Sequence, residues 1–301
     1  MPGSMPKIND PSFDYEAHYT NAEEFPKISV WVTSTGRLDV LVSTIESWIE
    51  HCTYLNYEFV IVHSQMTDVS KKFFALEYID GDATEEYLNS LKKKFPKITF
   101  KLFIQPFERL GLTYTKLLEN TEGYYINIED DLRTVTDPCA QLVDNIKLFR
   151  ADPRLLGIRM DLRDETVFAG CPRFPETFSI EGTQYVIWRQ WCSGGAQLMD
   201  AYKVSDIGGF ITDHAPDQYI QTEHDQSRKM REAGMYTGIN LSYYGCLAHI
   251  GHHGVQGGDR GWTVEQYAEM AEKGWCGDGT DKQAKKPREH FLGKRKENGL
   301  P

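Results

Sequence analysis

Two short, β-branched apolar runs flank one amphipathic segment near the start of this chain, and that order restricts the fold more than any other feature. Ile28-Ser-Val-Trp-Val32 and Glu58-Phe-Val-Ile-Val62 are too short for buried helices and too continuously apolar for half-exposed strands. Each reads as a strand covered on both faces. Between them, Leu41, Ile45, Trp48 and Ile49 fall on one face at helical spacing. Strand, helix, strand in that order is a right-handed parallel unit.

The alternation continues downstream. Ile98 to Ile104 reads as a third strand, Leu110 to Asn120 as a helix, and Tyr124-Tyr-Ile-Asn-Ile128 as a fourth strand. Pro138 opens a helix whose apolar face is Leu142, Val143, Ile146 and Phe149, and Leu155 to Met160 follows as a strand. The second half is richer in Gly, aromatic residues and His. Tyr185-Val-Ile-Trp188 reads as a strand and Trp191-Cys-Ser-Gly-Gly195 as a loop leading into a helix. Gln218 to Ala233 reads as a helix ended by Gly234, and Tyr236 to Gly245 as an extended segment. Thr263 and Gln266 form a capping box for a last helix through Lys273. The pattern predicts an α/β fold: a mostly parallel central sheet flanked by helices, with a mixed second half. It divides into a polar lead-in over 1–26, a main domain over 27–260, and a helix with a basic tail over 261–301. Met1 to Ser4 has the look of a cloning remnant ahead of Met5.

Charge and cysteine usage narrow the function classes. Net charge is −11, the wrong sign for a protein that grips nucleic acid by its phosphates. The charge is uneven, however. Residues 282–301 carry seven Lys or Arg against Glu289 and Glu297, a local +5 that leaves −16 on the remainder. That tail is either a solvated end or an arm for an anionic partner. No apolar run approaches the roughly eighteen residues of a membrane span, and no basic start precedes an apolar stretch. The six cysteines contain no CxxC pair, which excludes a zinc ribbon or disulfide framework as an expectation and favours reduced thiols in the cytoplasm.

Four local patterns carry chemistry. Glu129, Asp130 and Asp131 follow the fourth strand directly. In open α/β sheets, ligands sit beyond the carboxyl ends of the strands. Three acids there repel one another unless a cation neutralises them, and hard oxygen donors suit Mn²⁺ or Mg²⁺. An acidic turn capping the next helix is the alternative reading of the same residues. His249, His252 and His253 crowd a Gly-flanked loop, which suits a metal or phosphate role, while the absence of HExxH leaves zinc unsupported. Glu223-His-Asp225 places two carboxylates at the start of a helix, as a general base or as ordinary first-turn acids. The paired glycines of Trp191-Cys-Ser-Gly-Gly195 allow either close backbone approach to a ligand or a tight turn.

Their order along the chain resembles the inverting glycosyltransferases of the GT-A fold, glycosyltransferase family 2 in particular, over roughly residues 27–254. Ile28 to Trp48 looks like that family's first strand, nucleotide-contacting loop and helix. RLGLTYTKLLENTEGYYINIEDD, residues 109–131, is similar to its middle signature, with Glu129-Asp130-Asp131 where the metal-binding DxD motif belongs. WCSGGAQLMDAYKVSDIGGF, residues 191–210, resembles the segment that closes over the acceptor. TEHDQSRKMREAG, residues 222–234, resembles the helix that supplies the base. His249 matches the family's late histidine. The likeness is not complete. Glu129 replaces the first Asp of DxD, and the family's Glu-Asp pair appears as Thr222-Glu223 with Asp225 beyond. The second strand ends in His63-Ser64-Gln65 rather than in acids. No QxxRW pattern follows the helix, which points to single transfer rather than processive synthesis.

The resemblance implies a metal-dependent transferase. It moves one sugar from a nucleotide-diphosphate sugar to an acceptor hydroxyl with inversion. Asp131, Glu129 and His249 are implied to hold Mn²⁺ or Mg²⁺. Glu223 or Asp225 is implied as the base, with Glu223 favoured by its register from Ala233-Gly234. Thr33, Thr35, Arg37 and Asp68 are implied to meet the nucleotide, and Arg109, Lys116, Glu129 and Asp130 the rest of the donor. Trp191, Ser193, Gly194 and Gly195 are implied to meet the acceptor, with Tyr185 and Trp188 as stacking platforms. The expected acceptor is a glycan or lipid-linked sugar, with a modified base of viral DNA as the alternative. Two other classes compete. A metal-dependent nucleotidyltransferase would want more glycine and basic charge than Thr33-Ser-Thr-Gly-Arg37 offers. A binding module without turnover would not need the carboxylates at 223 and 225.

Overall fold

The computed structural model describes residues 25–65, 81–107, 110–160, 176–180, 183–188, 196–210, 219–240 and 246–249. Among these, nine strands form one sheet: β1 (Ile28–Ser34), β2 (Tyr57–Gln65), β3 (Thr99–Pro106), β4 (Tyr124–Asn127), β6 (Leu155–Arg159), β7 (Glu176–Ile180), β8 (Thr183–Trp188), β9 (Gln197–Asp200) and β10 (Tyr236–Asn240). Their order is β3-β2-β1-β4-β9-β6-β10-β8-β7. All run in one direction except β8 and β9. The carboxyl ends of β1, β2 and β4 therefore open on the same edge. A second, two-stranded sheet pairs β5 (Leu132–Thr134) with β11 (Leu247–His249).

Side-chain alternation along the strands divides the core into two layers. Ile28, Val30 and Val32 of β1, Phe59 and Ile61 of β2, and Ile126 of β4 face one side. There they meet α1 (Leu38–His51) through Leu41, Ile45 and Trp48. They also meet α2 (Gly81–Lys94) through Leu88 and Leu91, and α4 (Cys139–Ala151) through Leu142, Ile146 and Phe149. Trp31, Val60, Val62 and Tyr125 face the other side, against Tyr114 and Leu117 of α3 (Leu110–Glu119). Val204 of α5 (Ala201–Asp206) and Met230 of α6 (Tyr219–Glu232) complete that layer. Trp31 stacks on Tyr125, with ring centroids 3.5 Å apart, and donates from Nε1 to Thr121 Oγ1 at 2.7 Å. Each side chain of this size contributes about 1.5–3 kcal/mol when fully buried.

The expected strand–helix alternation of the first half is present, and in the second half Gly234, two residues past the end of α6, adopts φ +67°. One expectation differs. After residue 195 the chain enters the antiparallel strand β9 before α5, so Gln197–Asp200 is a strand where a helix was expected. The reason is local. Asp200 caps α5, accepting from the Tyr202 and Lys203 backbone N–H groups at 3.0 and 3.1 Å, so the helix cannot begin earlier. The expected helix at 263–273, the basic tail and the division at 260 lie outside the described residues. Among the described cysteines, Cys52, Cys139 and Cys246 are free and buried, and no described helix is long and apolar enough to cross a membrane.

One buried acid crosses three strands. Glu58, 1% exposed, takes Ser29 Oγ of β1 at 3.1 Å, Lys101 Nζ of β3 at 2.9 Å and Lys27 Nζ at 2.7 Å. Burial pushes its carboxyl upward, but Lys101 and Lys27 outweigh burial and hold it below the usual glutamate range. A depressed folded pKa stabilises the protein above the unfolded value and loses that stability as pH falls through the folded value. Glu58→Gln is expected to cost about 1–3 kcal/mol in urea unfolding at pH 7. The gap from the unsubstituted protein should close below the ordinary carboxylate range. A gap that persists undiminished in acid would refute the ion-pair account.

Candidate active site

The site is built on the carboxyl edge of β1 and β4. β1 ends at Ser34, and the chain turns through Gly36 at φ +105°, a conformation that an L side chain rarely adopts. This turn sends Arg37, at the mouth of α1, back across the sheet edge. β4 ends at Asn127. Ile128 still donates its N–H to Trp31 O at 3.0 Å, and Glu129 then adopts φ +52°. A non-glycine residue there is uncommon and is held by its surroundings. Here Asn127 holds it: its Oδ1 accepts from Glu129 N–H at 3.2 Å, while its Nδ2 donates to the Tyr114 hydroxyl at 3.1 Å. Thr44 of α1 donates to Asp130 O at 2.9 Å and fixes the other side of the turn.

Arg37 grips this turn. Its guanidinium bonds both Asp130 oxygens, and Nη2 also reaches Asp131 Oδ2 at 3.0 Å. Burial disfavours the guanidinium charge, but the two carboxylates outweigh it and hold the proton firmly. Asp130 titrates above its usual range because burial exceeds the help from Arg37. Glu129 is pushed up to about 8, by burial first and then by Asp131, Glu223 and Asp130. One arginine thus faces a group of acids whose combined charge it does not balance.

Glu223 joins that group from the opposite wall. It and Glu129 act on one another and on the buried Tyr114 hydroxyl. On α6, residues 223 and 225 point roughly 200° apart. Thr222, Gln226, Ser227 and Met230 are buried, and Glu223 lies within that inward arc. Asp225 turns the other way, 3.5 Å from Arg228 Nη2 and near Lys229. The geometry separates two acids that the sequence left as alternatives. Lys229 donates to Gly208 O and Gly209 O at 2.8 and 2.9 Å, and Phe210 packs 5.1 Å from the Tyr114 ring. α6 is thereby pinned to the Gly-Gly-Phe turn and to α3.

Thr33 and Thr35 lie partly exposed on the same edge as Arg37. His249 pairs with Leu132 in the β11–β5 ladder, which puts its backbone beside Asp131. Lys116 Nζ lies 3.2 Å from Gln105 Oε1, at the carboxyl end of β3, and 5.2 Å from the Phe103 ring. Asp68, Arg109, Trp191, Ser193, Gly194 and Gly195 lie outside the described residues, as do the side chains of Tyr185 and Trp188. Asn127, Thr44 and Tyr114 were not read from the sequence. Only Asn127 left a signal, as one polar residue inside an apolar strand.

Among the described residues, no group of three or more His, Cys, Asp or Glu is arranged to hold a metal ion. The donor chemistry nevertheless fits a hard divalent cation. Mg²⁺-type ions bind through one or two carboxylates plus substrate phosphates, and Glu129, Asp130 and Asp131 supply hard oxygen donors side by side at this turn.

No protein-family model matches the chain, and no curated protein matches it. Solved structures do resemble it. A mannosyltransferase from Pyrobaculum calidifontis, PcManGT, solved with GDP-Man and Mn²⁺, superposes with a TM-score of 0.52 at 14% identity, over 82% of this chain and 64% of its own. Residues 1–349 of S. aureus TarS give 0.46 at 15% identity, over 74% and 60%. GalNAc-T7 with UDP, GalNAc and Mn²⁺ gives 0.48 at 12%, over 74% and 43%. The chain spans less than two thirds of the length of each. With its sheet order and its acidic turn, the chain has a GT-A type fold.

Proposed function

We propose that this protein is a metal-dependent glycosyltransferase that moves one sugar from a nucleotide-diphosphate sugar to an acceptor hydroxyl with inversion. One observation carries the reading: Glu223, on the inward arc of α6, is close enough to the acidic turn to act on Glu129, whereas Asp225 pairs with Arg228. A transferase of this kind needs a diphosphate site and a base on opposite sides of one sugar, and the acidic turn and Glu223 of α6 are the residues this reading assigns to them. The fold shared with a GDP-Man- and Mn²⁺-bound mannosyltransferase supports the donor class.

In this reading the Thr33–Arg37 loop receives the nucleotide. Asp131, with Glu129 and His249 beside it, would hold Mn²⁺ or Mg²⁺, which supplies charge neutralisation to the leaving diphosphate. Glu223 takes the proton from the acceptor hydroxyl as it attacks the anomeric carbon, and the bond to the diphosphate breaks on the opposite face. Arg37 keeps Asp130 and Asp131 together until the donor arrives. The acceptor we favour is a glycan or lipid-linked sugar.

Three outcomes test this. Calorimetric titration with a panel of nucleoside diphosphates should find one that binds only with Mn²⁺, and Asp131→Ala should abolish that binding. A folded protein that binds none of them refutes the proposal. With the matching donor, Glu223→Gln should lower turnover by about 10²–10⁴-fold, whereas Asp225→Asn should stay within a few-fold. The reverse ranking would move the base to Asp225. Arg37→Met should cost about 3 kcal/mol in unfolding, and Mn²⁺ should restore more stability to this variant than it adds to the unsubstituted protein. Equal Mn²⁺ effects would place the ion away from these carboxylates.

A further inference from the structure

Gln226 is 3% exposed, and among the described residues neither its Oε1 nor its Nε2 has a hydrogen-bond partner. Its helical neighbour shows what a settled polar group looks like at this depth: Ser227 Oγ donates to Glu223 O at 2.7 Å. A glutamine amide offers two donors and a carbonyl acceptor. Burying all of them unpaired is costly, and native structures rarely do so without an ordered water, an ion or a ligand. The position adds a direction. Along the inward arc of α6, Glu223 lies at the acidic turn and Met230 lies in the core beside Tyr114 and Leu117. Gln226 falls between them, less than one turn, or about 4.5 Å of axial rise, beyond Glu223.

We infer that Gln226 is a substrate-binding residue, whose amide takes hydroxyl groups of the sugar being transferred. This rests on the glycosyltransferase reading above. Two neighbouring hydroxyls on a sugar ring each donate and accept, so one can give its proton to Oε1 while the other receives from Nε2. In that reading the nucleotide and diphosphate belong to the loop of Arg37 and the turn of Asp131, and α6 is left to the sugar. Gln226 therefore discriminates the sugar and not the nucleotide. Its cost appears in the free protein and is offset only when the sugar is bound.

The test compares binding of the nucleoside diphosphate with binding of its sugar conjugate, both with Mn²⁺, to the unsubstituted protein and to Gln226→Met and Gln226→Leu. In both variants the diphosphate should bind within two-fold of the original. The conjugate should bind roughly 10-fold more weakly, as expected when a hydrogen-bonding group is removed from a site built around it. In the absence of ligand, the variants should melt about 2–4 °C higher, because an unpaired buried amide has been replaced by an apolar group of similar shape. Unchanged affinity for the conjugate in both variants overturns the inference. So does a lowered melting temperature with both ligands weakened alike, which would mark the amide as structural. Original protein that binds the conjugate no better than the bare diphosphate overturns it too. Original protein that binds no diphosphate at all refutes the glycosyltransferase reading itself, an outcome visible before any variant is made.

Discussion

The crowding of negative charge at one turn is the constraint around which this molecule is arranged. Glu129, Asp130 and Asp131 follow a buried strand without a break, and Glu223 approaches from across the cleft. Left alone, these groups would drive the turn apart or take up protons. Three features hold the turn instead. Arg37 ties two of the acids together, Thr44 bonds the backbone between them, and Asn127 fixes Glu129 in its left-handed conformation. Each comes from a different element: the loop after β1, helix α1 and strand β4. A GT-A type fold supplies those elements at one sheet edge, so the scaffold and the turn are parts of one design.

The opposite wall is fixed by different means. α6 is polar along most of its length, and among its described residues Met230 sits in the core while Lys229 bonds two carbonyls of the Gly208–Gly209 turn. Phe210, next in the chain, packs on Tyr114, whose hydroxyl in turn receives the Asn127 amide. Phe210, Tyr114 and Asn127 thus form a continuous chain of contacts from the turn that Lys229 holds to Glu129.

Much of the architecture was legible because it depends on periodicity. Buried parallel strands read as apolar runs, α1, α3 and α4 announce themselves by an apolar stripe, and α6 is marked by the Gly234 that stops it. The elements that escaped have little pattern to show. β5 and β11 are three residues long, and α2 buries only Thr84, Leu88 and Leu91 among charged neighbours. β9 is set by an aspartate cap that doubles as the end of a strand. The acidic turn and the helix carrying Glu223 could be found from their order in the chain. Between Glu223 and Asp225 the register from Ala233-Gly234 favoured Glu223, but the helix phase itself depends on where Met230 docks. Arg37 was read as a nucleotide contact, and nothing in the sequence says that it meets acids more than ninety residues away. Buried polar groups such as Tyr114 and Gln226 are invisible by the same logic, because their neighbours are brought together only by folding.

Glu58 has a consequence for how the chain finds its register. Parallel strands are joined by long crossovers, so nothing local dictates which residue of β2 lies beside which residue of β1 or β3. A slip of one position would carry the carboxylate to the other face of the sheet, among Trp48 and Phe100, where no lysine waits. A slip of two would keep the face but part it from Ser29 and Lys101 together. Mispaired sheets are thus penalised by a stranded charge, whereas a leucine at this place would tolerate them. The native register is thus the one that matches this carboxylate to Ser29 and Lys101, at the end of the sheet opposite the acidic turn.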